Sequence, residues 1–124
     1  MTHRILIADD EPNIVISLEY LMKREGHEVL IARDGAQALA LIEEQMPDLV
    51  LLDAMMPERS GFDVCQAVRA NPSVAGIPII LLTARGRDTD RAKGMAMGAT
   101  AYMTKPFATR EVAQMVRELL ESRT

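Results

Sequence analysis

Apolar positions in this chain fall into two patterns that alternate five times. One is a short, nearly continuous run: Arg4-Ile5-Leu6-Ile7-Ala8, Glu28-Val29-Leu30-Ile31-Ala32, Asp48-Leu49-Val50-Leu51-Leu52, Ile77-Pro78-Ile79-Ile80-Leu81-Leu82, and the weaker Thr100-Ala101-Tyr102-Met103-Thr104. Such runs read as strands buried on both faces. The other pattern has helical spacing. Asp10-Glu11-Pro12-Asn13 opens a helix, with Pro tolerated and acids favoured in the first turn. Ile14, Leu18, Leu21 and Met22 share one face of it, and Gly26 ends it. Asp34-Gly35 precedes a second helix through Ala36, Leu39, Ala40 and Ile42, which Pro47 ends. Ser60-Gly61 opens a third, ending before Asn71-Pro72. A fourth spans Arg87 to Met97. Thr109 caps a fifth along Val112, Met115, Val116 and Leu119.

Strands alternating with helices predict a doubly wound α/β fold, a parallel sheet covered on both faces with right-handed crossovers. Ligands of such sheets sit beyond the carboxyl ends of the strands, where the strand order switches. Four strands end in useful polar groups: Asp9 and Asp10, then Asp53, then Thr83, then Lys105. The second ends only in Ala32-Arg33-Asp34. The order 2-1-3-4-5, borrowed from flavodoxin-like folds, sets strand one beside strand three and leaves strand two on the flank.

Length and charge narrow the classes. A chain of 124 residues is expected to form one domain, 1–124, with a core that needs no disulfide or metal. The single Cys65 has no internal partner and reads as a core residue. A formal charge of −4 with scattered basic residues argues against direct nucleic-acid binding. Charge at Arg4, Asp9, Asp10 and Glu11 interrupts any signal-peptide core, and no apolar run is long enough for a bilayer. The cytoplasm is the expected location, with no membrane contact.

The converging groups define a chemistry. Adjacent strands lie about 4.8 Å apart, so acids at the ends of strands one and three are close neighbours. Two unit charges about 5 Å apart repel by roughly 3 kcal/mol at an effective dielectric near 20. Three such groups need a cation or raised pKa values. All-oxygen ligation favours Mg²⁺, with Mn²⁺ as the alternative, and leaves room for a phosphate. Lys105 supplies a point charge and Thr83 a hydroxyl donor to phosphoryl oxygens. Asp53, central in the sheet, is the candidate nucleophile. Taken singly, each group has an ordinary alternative: a helix-capping acid, a solvated lysine, a turn threonine. Together they point to a magnesium-dependent aspartyl-phosphate site.

The ordered set Ile7-Ala8-Asp9-Asp10-Glu11, Leu51-Leu52-Asp53-Ala54-Met55-Met56-Pro57 with Gly61, Leu82-Thr83-Ala84, Gly98-Ala99 and Lys105-Pro106-Phe107 resembles a response-regulator receiver domain over essentially the whole chain. This is the phosphoacceptor module of two-component signalling. The resemblance implies that Asp53 accepts a phosphoryl group from a histidine kinase or a histidine phosphotransfer protein. It implies Mg²⁺ ligation by Asp10, Asp53 and the Met55 backbone carbonyl, with Asp9 acting mainly through a water. It implies a cis Lys105-Pro106 bond and a switch pair, Thr83 and Tyr102, that reshapes the face of helix four, strand five and helix five. Such a domain phosphorylates and dephosphorylates itself but is not an enzyme of metabolism.

Gly94 inside helix four, worth about 1 kcal/mol against a helix, suits a bistable element. Met95, Met97, Met103 and Met115 fall in the same region and read as core filler or as an adaptable surface. The positions two after Asp53 and two after Thr83, Met55 and Arg85, tune phosphoryl lifetime in the family. An apolar Met55 cannot orient an attacking water, and Arg85 covers the phosphoryl group, so slow to intermediate hydrolysis is expected. Thr100 and Ala101 stand where DNA-binding members of the winged-helix class usually carry dimer-forming acids, which weakens that dimer type.

Three rivals fit less well. A flavodoxin needs a Ser/Thr/Gly-rich phosphate loop and aromatics, whereas this chain has Asp9-Asp10-Glu11, two Tyr, two Phe and no Trp. An aspartate-nucleophile phosphatase usually has a second Asp where Met55 stands, and a cap insertion. A pseudo-receiver would not need the full acid set, Thr83 and Lys105. The chain stops at Thr124, just past helix five. It reads either as a stand-alone regulator or as a receiver with a covalently linked output domain, acting on an unidentified downstream protein as a monomer or a phosphorylation-dependent dimer.

Overall fold

The computed structural model describes residues 2–84 and 88–122. The elements run β1 (Arg4–Ala8), α1 (Pro12–Arg24), β2 (Glu28–Ala32), α2 (Gly35–Gln45), β3 (Leu49–Asp53), α3 (Gly61–Ala70), β4 (Ile79–Ala84), α4 (Asp88–Ala96), β5 (Ala101–Lys105) and α5 (Thr109–Ser122). All five strands pair in parallel, in the order β2-β1-β3-β4-β5. The alternating pattern predicts the parallel layers, and the strand order is the one expected of flavodoxin-like folds.

Side-chain alternation along the strands divides the core in two. Leu6, Val50, Leu52, Ile79 and Leu81 face the layer that contains Phe62, Val64 and Val68 of α3. Ile5, Ile7, Leu49, Leu51, Ile80 and Leu82 face the opposite layer, with Leu18 and Met22 of α1 and Val112 and Val116 of α5. Cys65 is buried in the first layer, as expected of a core thiol, and burial pushes its pKa up to about 11.

Boundaries differ from the expected ones in instructive ways. Asp53, Thr83 and Lys105 are not beyond their strands but inside them, at or next to the last position. Ile77 and Pro78 precede β4, because a proline has no N–H for the ladder. Asp34 and Ser60 cap α2 and α3 by accepting hydrogen bonds from the backbone N–H of Gln37 at 2.7 Å and Asp63 at 3.2 Å. Pro47 does not itself end α2; Met46 does, in the left-handed conformation at φ 47°. Thr109 is the first helical residue of α5 rather than its cap, and the Ala108 carbonyl accepts the first helical N–H groups.

At the amino-terminal edge of the sheet, Arg69 of α3 acts as a clasp. Its guanidinium donates to the carbonyls of Gly98 (2.7 Å), Ala75 (2.9 Å) and Ile77 (2.7 Å), and to Thr100 Oγ1 (3.1 Å). Thr100 Oγ1 also accepts from the Ile79 N–H at 2.9 Å. The turns entering β4 and β5 are thereby tied to the last turn of α3.

Candidate functional site

Register brings the polar strand ends together. Ala8 pairs with Leu52, so Asp9 follows β1 level with Asp53 on β3; Asp53 pairs with Leu82, next to Thr83, and Ala84 pairs with Lys105. Gly61 lets the chain after β3 fold back tightly. A Cβ there would lie 2.2 Å from the Asp53 carbonyl oxygen, so any side chain would push α3 off the site.

Asp9, Asp53 and Thr83 are buried, while Asp10 and Glu11 are exposed. One carboxylate oxygen from each of Asp9, Asp10 and Asp53 lies within 4.8 Å of the others. Lys105 Nζ reaches into this cluster, 2.9 Å from Asp9 Oδ2, 3.0 Å from Glu11 Oε1 and 3.6 Å from Asp53 Oδ2. The loops supply two backbone donors: the Glu11 N–H to Asp9 Oδ1 at 2.9 Å and the Met55 N–H to Asp53 Oδ1 at 3.2 Å. Asp9 Oδ2 is buried, with the Lys105 ammonium as its ionic neighbour at 2.9 Å.

The electrostatics follow from this crowding. Burial first, and the Asp9 charge second, push the Asp53 carboxyl up to about 7, against the pull of Lys105 and the Met55 N–H. Burial pulls the Lys105 ammonium down, but Asp9, Glu11 and Asp53 outweigh it and hold the group above its usual range. The donor set fits a hard divalent cation. Three carboxylate oxygens converge, those of Asp9 and Asp53 on buried residues, and burial with the Asp9 charge disfavours the ionised form of Asp53, a cost that a cation would relieve.

Asp9, Asp10, Asp53, Thr83 and Lys105 lie at this edge, whereas Tyr102 stands near the start of β5, paired with Leu81. Thr83 is buried, its hydroxyl donating a long 3.4 Å hydrogen bond to the Met103 carbonyl. Tyr102 is half-buried against the first core layer, and the Arg91 guanidinium stacks over its ring at 4.3 Å. Met55 is exposed, and the Lys105-Pro106 bond is cis. Arg85 lies outside the described residues. Of the four methionines, Met103 is core, Met95 is exposed, and Met97 and Met115 pack at the margins. Glu11 was given no role of its own by sequence reasoning, yet it holds Lys105; a third acid after Asp9-Asp10 was the only signal.

A doubly wound sheet with three carboxylates and a lysine at its carboxyl edge is an arrangement suited to a cation and a phosphate. The sequence profile of the response regulator receiver domain matches residues 5–117, and the chain belongs to that family. It is 42% identical over 120 residues to the alkaline phosphatase synthesis transcriptional regulatory protein PhoP of Bacillus subtilis (strain 168), covering 97% of this chain and 49% of the relative. The chain thus spans about half the length of that curated relative. Among solved structures it is similar to a response regulator from Chloroflexus aurantiacus J-10-fl, with TM-score 0.93, 33% identity and coverage of 98% and 99% of the two chains. It is also similar to the receiver domain of a sensor histidine kinase from Pseudomonas aeruginosa PAO1, which has a magnesium ion in its active-site cleft, with TM-score 0.90, 28% identity and the same coverage. Fold and family place the chain in two-component signal transduction, a signalling role rather than a metabolic one.

Proposed function

We propose that Asp53 is the phosphoacceptor of a Mg²⁺-dependent switch. The observation that carries this reading is the position of Asp53: it shares a 4.8 Å cluster with Asp9 and Asp10 and has Lys105 Nζ at 3.6 Å. Asp10, Asp53 and the Met55 carbonyl would hold Mg²⁺ or Mn²⁺, with Asp9 acting through a water. The bound cation supplies charge neutralisation for the transferring phosphoryl group.

An ionised Asp53 oxygen attacks phosphorus as the bond to a phosphohistidine nitrogen of a histidine kinase or phosphotransfer protein breaks. The bonding pair leaves with the imidazole, which takes up a proton. Lys105 is shared at rest among Asp9, Glu11 and Asp53. A phosphoryl group on Asp53 offers it more negative charge than any of these, and Lys105 turns to it. The Thr83 hydroxyl, whose bond to the Met103 carbonyl is a long 3.4 Å, donates to another phosphoryl oxygen. Its movement opens space on the face it shares with Tyr102, and Tyr102 turns in. The surface of α4, β5 and α5 then changes shape for a downstream protein or a linked output domain. Loss of the phosphoryl group to water resets the site.

The test is intact mass after incubation with a small phosphodonor and Mg²⁺. One base-labile phosphoryl group is expected on the wild type and none on Asp53→Asn or with a chelator. Mg²⁺ binding without label on any donor would refute the acceptor role. Absence of both would leave a pseudo-receiver that signals by binding alone.

A further inference from the structure

Tyr102 is held by a residue that the switch reading does not use. Helix α4 sits close on β4. Gly94 is buried, and a Cβ on it would lie 2.3 Å from Leu81 Cδ2. Leu81 is the register partner of Tyr102 across the β4–β5 ladder. The glycine therefore lets the helix approach the strand pair that carries the switch residue. One turn earlier, on the same side of the helix, the exposed Arg91 lays its guanidinium over the Tyr102 ring, 4.3 Å from the centroid.

We propose that Arg91 is a latch: its stack on Tyr102 favours the half-exposed ring position and so opposes the inward turn that accompanies phosphorylation. The proposal rests on the switch-pair reading given above. Its physics is a matter of differential contact. A cation over an aromatic face is attracted by the ring quadrupole, and that attraction exists only while the ring lies under α4. Once Tyr102 turns toward the space beside Thr83, the contact is lost. The latch therefore weights one state and not the other, which is what a shift of population requires. Arg91 touches no reacting atom; it positions the switch.

Direction separates this role from simple electrostatics. Removing a positive charge near an anion site weakens anion binding, whereas removing a latch strengthens it. Beryllofluoride with Mg²⁺, a phosphoryl mimic, is the probe, titrated into the intact chain. Arg91→Ala is expected to bind it about two- to fivefold more tightly than wild type, the range of an exposed cation–π contact. Arg91→Lys, which keeps the charge but not the planar stack, should fall between them. In a Tyr102→Ala background, Arg91→Ala should change nothing. Tyr102 ring resonances in free Arg91→Ala should move toward their beryllofluoride-bound positions, a shift that a merely structural arginine would not produce. Weaker or unchanged binding in Arg91→Ala, or the same change with Tyr102 absent, would overturn the latch. Failure of the wild type to bind beryllofluoride would instead remove the switch reading, and the latch with it.

Discussion

Asp53 contributes unfavourably to folding in the metal-free protein, and the sign follows from its pKa. An acid raised from 3.8 to about 7 costs nothing below about pH 4, where both folded and unfolded forms hold the proton. The cost grows as pH rises through that window and is complete above the folded value. Asp53→Asn should therefore raise metal-free stability at pH 8 by roughly 1–3 kcal/mol and flatten its decline between pH 4 and 7, as read by urea melts across pH; an unchanged slope would place the strain elsewhere. Met55, exposed beside Asp53, offers no hydrogen bond to water. Met55→Asn should shorten the phosphoryl half-life by roughly three- to tenfold, about 1 kcal/mol of barrier, measured by loss of label after donor removal. Thr100 accepts hydrogen bonds from Arg69 and Ile79, so its hydroxyl serves the turn that enters β5.

At the scale of elements, Gly94 sets two effects against each other. Helix propensity favours alanine by about 1 kcal/mol, but an added Cβ meets a Leu81 side chain that is fully buried, and overpacking costs about 1–3 kcal/mol. Gly94→Ala should lower the unfolding free energy by about 1 kcal/mol net, read as a lower denaturation midpoint; a raised midpoint would show that Leu81 repacks freely. Sequence alone read this glycine as a weak point in α4, because propensity is a local property and the approach of Leu81 is not. The same distinction runs through the rest of the chain. Strands β1, β2 and β3 were legible because apolar runs buried on both faces leave a plain signature. The start of β4 was masked by apolar residues that continue into the preceding turn, and the left-handed stop at Met46 by a proline one residue later. The site was legible through strand ends. The Lys105–Glu11 contact was not, since it joins residues distant in the chain, nor was the Arg91 stack, which depends on how α4 packs on β4 and β5.

For the molecule as a whole, a cation held by the proposed cluster would make stability depend on its concentration. Mg²⁺ binding to the folded form alone should raise the melting temperature with concentration by mass action. The rise should be larger at pH 8 than at pH 6, because a proton on Asp53 competes with the ion below about pH 7. Thermal melts with and without chelator check this, and equal shifts at both pH values would show that Asp53 is not a ligand. The opposite edge of the sheet behaves differently. Among the described residues no carboxylate pairs with Arg69; neutral carbonyls and a hydroxyl hold it. Phosphorylation of an ionised Asp53 would replace one carboxylate charge with about two on the acyl phosphate at pH 7, a gain of about one, and every ionic contact near Asp53 would answer to it. A clasp made with neutral dipoles has no counter-ion to lose or gain. On the proposed switch, the clasp at Arg69 would therefore insulate the base of the sheet, leaving its grip unchanged while the Asp53 edge is recharged.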